Sequence, residues 1–101
     1  MDFTSIPEAF QSRIRLAIIA ALASGPKTFA ELKAHTGATD GNLSVHLSKL
    51  EADNYLHSEK TFHAKKPLTT YTITEQARQE FSDYVALLEQ TLRTGQIPSS
   101  L

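Results

Sequence analysis

The chain has 101 residues, 41% hydrophobic and 21% charged, which suits one globular domain with a modest core and argues against disorder. It contains no cysteine, so disulfide frameworks, thiolate nucleophiles, redox-sensing thiols and cysteine zinc knuckles are excluded. Ten Lys and Arg against eleven Asp and Glu leave a net charge of −1, a balance that by itself counts against a polyanionic partner.

The opening MDFTSIPEAF lacks the basic and continuous apolar stretches of a signal peptide, and no apolar run approaches the ~20 residues of a membrane span, so a cytoplasmic protein with no membrane partner is expected. Ser5-Ile6-Pro7-Glu8 predicts the start of a first helix, with Ser5 as cap and Glu8 at the capping-box position. Phe10, Ile14, Ala17, Ile18 and Ala21 follow at helical spacing. Leu16, Ile19 and Leu22 widen the stripe, so this helix is expected to be covered on two sides before Ser24-Gly25-Pro26 stops it.

Thr28-Phe29-Ala30-Glu31 is a capping box that opens a short helix to about Thr36, with Gly37 as its left-handed stop. Thr39 or Asp40 caps a third helix, in which Leu43, Leu47 and Leu50 face inward while Asn42, Ser44, Val45, His46, Ser48 and Lys49 turn mostly outward. Two short helices joined through Gly37 make a helix-turn-helix. At Asp53-Asn54, where Asn54 can take the left-handed conformation, the period changes from helical towards two. Tyr55 to Phe62 and Leu68 to Thr74 read as strands, with His63-Ala64-Lys65-Lys66-Pro67 as the turn between them. A last helix is predicted from about Glu75 to Arg93, capped by Thr74 and ended by Gly95 and Pro98, with a loose tail from Gln96 to Leu101. Its apolar stripe is Ala77, Phe81, Tyr84, Val85, Leu88 and Leu92, with Leu87 off the main line.

The expected fold class is therefore α+β: mainly α with a two-stranded hairpin wing, a winged helix-turn-helix. It forms one domain over 1–101, with the third helix at about 40–53, the wing at about 55–74 and the last helix at about 75–93. In this order the third helix can enter a major groove while the wing lies along the flanking backbone or minor groove. Charge is distributed accordingly: Lys60, Lys65 and Lys66 face only Glu59 between Asn54 and Thr74, whereas Glu75, Glu80, Asp83 and Glu89 outnumber Arg78 and Arg93 beyond it. Thr39, Asn42, Ser44, His46, Ser48 and Lys49 are the candidate contacts on the helix, because Asn suits adenine and Lys suits guanine or phosphate. Lys60, His63, Lys65 and Lys66 are the candidates on the wing. Arg13 and Arg15 suit either phosphate or surface ion pairs.

The run GNLSVHLSKLEADNYL from Gly41 to Leu56, the hairpin sequences KTF and KKPLTTYTIT, and the helix opening TEQARQEF resemble the small winged-helix transcriptional regulators related to the MarR and ArsR families. The resemblance spans essentially the whole chain. It implies a homodimer, the first and last helices forming the interface, for which Phe10, Ile14, Ile18, Phe81, Tyr84, Leu87 and Leu88 are the candidates. It also implies sequence-specific binding to double-stranded DNA and, as the expected sign, repression. Asn54 stands where such proteins often carry glycine.

Two other readings are a winged helix that docks another protein, favoured by the acidic total, and a ligand- or metal-responsive sensor with Phe81 and Tyr84 lining a pocket for an unknown small-molecule effector. His35, His46, His57 and His63 have no metal-ligand spacing, so no metal or other cofactor is expected. No Ser-His-Asp order, phosphate loop or glycine fingerprint points to an enzyme.

Overall fold

In a computed structural model, which describes residues 1–95, Ser12 rather than Ser5 opens the first α-helix. The Ser12 side chain accepts the Arg15 backbone N–H at 3.3 Å and starts α1 (Arg13–Ala23), while Ser5 Oγ donates to the Asp2 carbonyl at 3.2 Å. Between them Glu8–Gln11 forms a separate 3-10 turn that buries Ala9 and Phe10. The expected looseness of 96–101 and the role of Pro98 lie outside the described residues.

The full capping box of Thr28 and Glu31 starts α2 (Phe29–Thr36), and Gly37 ends it at φ +67°, a left-handed conformation that a β-carbon disfavours. Thr39, not Asp40, caps α3 (Asp40–Ala52) by accepting the Asn42 N–H at 3.2 Å. Leu43, Leu47 and Leu50 point into the core, and Asn54 turns the chain out of the helix at φ +63°. The 2.7 Å Lys33–Asp40 ion pair joins α2 to the first turn of α3.

The sheet has three strands, not two. Lys27–Thr28 form β1, which pairs antiparallel with β3 (Lys66–Ile73), and β3 pairs in turn with β2 (Leu56–His63), giving the order β1-β3-β2. The expected five-residue turn is also shorter: only Ala64 and Lys65 lie outside the strands, both at positive φ (51° and 66°), the two-residue turn whose twist suits a hairpin. Pro67 therefore sits inside β3. It is tolerated because the pair next to the turn-closing pair is not hydrogen-bonded across the ladder, and β1 reaches only Thr70 and Tyr71.

Thr74 gathers three elements at the hairpin base. Its N–H donates to the Tyr55 carbonyl at 3.0 Å and its hydroxyl to the Asn54 carbonyl at 2.8 Å, while Oγ1 accepts the Ala77 N–H at 3.1 Å and caps α4 (Glu75–Thr94). Asn54 Nδ2 also donates to Gln76 Oε1 at 3.2 Å. The core is formed by Ile18, Ile19 and Leu22 of α1, Leu32 of α2, the three leucines of α3, Leu56 and Ile73 of the hairpin, and Ala77. On α4 the expected stripe needs one correction. Leu87, placed off the line, is buried with Ala77, whereas Leu88 is 43% and Leu92 85% exposed.

Candidate nucleic-acid interface

The inward leucine row of α3 forces its opposite side into solvent. Thr39, Asn42, Ser44, Ser48 and Lys49 are exposed there and His46 is half-buried, so this group of candidates lies on one continuous part of the helix and its N-terminal cap. Lys49 is tied to Asp53 at 3.3 Å, which partly offsets its charge. Val45, 68% exposed between these polar neighbours, was not among the candidates. Its signal was present in the sequence as an apolar residue on the outward side of a helix whose inward row is already complete.

The wing stands beside α3 with a groove of about 530 Å³ between them, lined by Ser44, Leu47, Ser48 and Glu51 on the helix side and by Ser58 and Tyr71 on the sheet side. Strand alternation puts Leu56, Ser58, Lys60 and Phe62 on one face of the hairpin with their partners Ile73, Tyr71, Thr69 and Pro67. The inner end of that face joins the core, and its middle lines the groove. Lys60 thus lies on the α3 side, while Glu59 falls on the opposite face together with the paired His63 and Lys66. Burial, then the nearby Glu51 carboxylate, pushes the Tyr71 phenol upward, so its hydroxyl stays a neutral donor in the groove. Lys60, Lys65 and Lys66 make no ion pair among the described residues.

Arg13 and Arg15 are engaged elsewhere: Arg13 Nη1 donates to the Thr36 carbonyl at 3.2 Å, and Arg15 lies 3.8 Å from Glu8. Of the residues implied for an interface, Phe10, Ile18 and Leu87 are buried within the chain's own fold. Ile14, Phe81, Tyr84 and Leu88 keep surface. Phe81 and Tyr84 pack against Phe10, with ring centroids 6.0 and 5.1 Å away, and both stay half-buried. Among the described residues no group of three or more His, Cys, Asp or Glu side chains is placed to hold a metal ion, and no helix is long and apolar enough to cross a membrane.

The sequence model of the winged helix DNA-binding domain family matches residues 14–92. The chain belongs to that family. No curated protein matches it by sequence. This winged helix is similar to the solved structure of a protein from Enterococcus faecalis V583 assigned to the MarR family of transcriptional regulators, with 27% identity, a TM-score of 0.76, and coverage of 92% of this chain and 87% of that one. A transcriptional regulator homologue from Pyrococcus horikoshii OT3 shares its fold at 22% identity and a TM-score of 0.76, covering 88% and 89%. An ArsR-family transcriptional regulator does so at 18% identity and a TM-score of 0.60, covering 86% of each chain. The winged helix family is one of DNA-binding domains, not enzymes.

Proposed function

We propose that this winged helix is a sequence-specific regulator of transcription that binds double-stranded DNA as a homodimer and acts as a repressor. The observation that carries the reading is the pairing of an exposed α3 surface, free of core duties, with a lysine-bearing wing across a shared groove, in a chain of a DNA-binding family. In the major groove Asn42 suits an adenine edge and Val45 a thymine methyl, with Thr39, Ser44, His46, Ser48 and Lys49 serving bases or phosphates around them. Lys60, His63, Lys65 and Lys66 serve the backbone, adding affinity that falls with salt.

The second copy is supported by α4. Phe81, Tyr84, Val85, Leu88 and Leu92 recur at helical spacing, and the stripe becomes more exposed towards Leu92, a poor arrangement for a helix that stays alone. Ile14 on α1 contributes its uncovered part. A two-fold through these helices would set two α3 copies about one DNA turn (~34 Å) apart, on an inverted repeat.

The test is capture of a genomic duplex library on the purified protein at two salt concentrations, followed by sequencing of what is retained. An enriched inverted repeat with steep salt dependence is expected, and a reporter carrying that repeat then reads the sign of regulation. If no duplex is retained even at low salt, the DNA reading fails and a protein partner for the same surface replaces it.

A further inference from the structure

Every residue from His57 to Leu68 is exposed, so the outer part of the hairpin stands clear of the body. Near its tip Phe62 presents 74% of its surface to water, and no core contact uses its ring. Opposite it in the ladder, on the same face, is Pro67. Lys60 shares that face, Lys65 occupies the turn, and His63 and Lys66 close it. No acid occurs from Lys60 to Leu68. A partner that suits this tip is anionic at its rim and apolar inside. A base-pair stack entered through the minor groove, with a phosphate chain on either side, has both properties.

We propose that Phe62, backed by Pro67, is a wedge that enters between base pairs from the minor groove and kinks the duplex, while the lysines hold the flanking phosphates. The proposal rests on the DNA-binding reading above. A wedge needs a stiff mount, and the hairpin supplies one: eight cross-strand pairs run without a break from Leu56↔Ile73 to His63↔Lys66 and end in a two-residue turn. The kink favours pyrimidine–purine steps, which unstack most easily, so Phe62 selects sequence without hydrogen-bonding a base. Nothing on α3 can perform this role, because Val45, its exposed apolar side chain, is short and flanked by Ser44 and His46.

The experiment compares binding of mixed-sequence DNA of about 100 bp, rich in pyrimidine–purine steps, as a linear duplex and as the same sequence closed into a minicircle whose bending is already done. Wild type and Phe62→Leu should favour the circle about tenfold, whereas Phe62→Ala should bind the linear form within a few-fold of wild type and lose the preference. Lys65→Gln/Lys66→Gln should weaken both forms and keep the preference. Phe62 is exposed, so its replacement leaves the core untouched, and circular dichroism checks that. An undiminished preference in Phe62→Ala, or no preference in a wild type that binds linear DNA, overturns the wedge alone. A wild type that binds neither form at low salt overturns the wedge together with the DNA reading and assigns the apolar tip to a protein partner.

Discussion

Replacing Lys65 and Lys66 by Gln removes two cations and preserves most of each stem, and it adds no β-branching where position 65 holds left-handed backbone, so the hairpin keeps its shape. Both residues are exposed and neither is held by an acid among the described residues, in contrast to Lys49 with its 3.3 Å partner Asp53. Each phosphate that a lysine neutralises releases about 0.9 of a counterion, so the double variant should flatten the log K against log salt slope by about 1.8 for each protomer on the DNA. For a dimer the change is about 3.6. Between roughly 50 and 200 mM salt the gap between wild type and variant should then shrink about 12-fold for one protomer and about 150-fold for two, so the same titration counts the wings engaged. Fluorescence anisotropy with a labelled duplex over that range is the assay. A variant slope equal to that of wild type would refute the assignment of the wing lysines to phosphate.

Four further expectations come from the same geometry. Leu50→Ala empties a site with 0% exposure under α3 and should cost about 2–5 kcal/mol in denaturant unfolding. Burial, then the charge and hydrogen bond of Glu80, push the Tyr55 hydroxyl up to about 12, so the stability it contributes is intact below about 10 and is lost as pH rises through 12. A phenolate absorbance titration, read against Tyr55→Phe, should show Tyr55 ionising there, and Glu80→Gln should bring it down. Glu31 is held below the usual carboxylate range mainly by the Thr28 backbone N–H and then by the Thr28 hydroxyl, so its contribution is present above the ordinary value and is lost as pH falls through the depressed one. NMR titration of Glu31 in Thr28→Ala should move it back towards normal. Leu88→Glu/Leu92→Glu should leave the fold intact and abolish self-association in sedimentation velocity, since both side chains are exposed in the single chain; unchanged association would place the interface elsewhere.

What was legible in the sequence was written in local chemistry. Thr28 with Glu31, Thr39 and Thr74 cap their helices through side-chain bonds only three residues long, and Gly37 and Asn54 mark left-handed backbone that few other residues adopt. The leucine row of α3 fixed its outward face, and with it the candidate contacts. The misplaced features depend on distant partners. Ser5 and Ser12 are equally good caps by type, and burial of Phe10 against Tyr55, Phe81 and Tyr84 decides between them. β1 has two residues and no pattern of its own, so it exists only because Tyr71 and Thr70 offer an open edge. Leu87 and Leu88 are adjacent on one amphipathic helix, and only the packing of α4 selects which goes inside. Phe62 reads in the sequence as an ordinary strand residue, and its exposure follows only from the hairpin extending past the core.

The junction at Thr74 gives the chain a mechanical property. One residue caps α4, ends the returning strand of the hairpin and holds the exit of α3 through two carbonyls, so the three elements share a pivot. Tilting α4 must either break those bonds or swing the wing and the end of α3 with it. The far end of α4 lies about 30 Å of helix from that junction, a long lever whose angle is coupled at Thr74 to that of the wing and the end of α3.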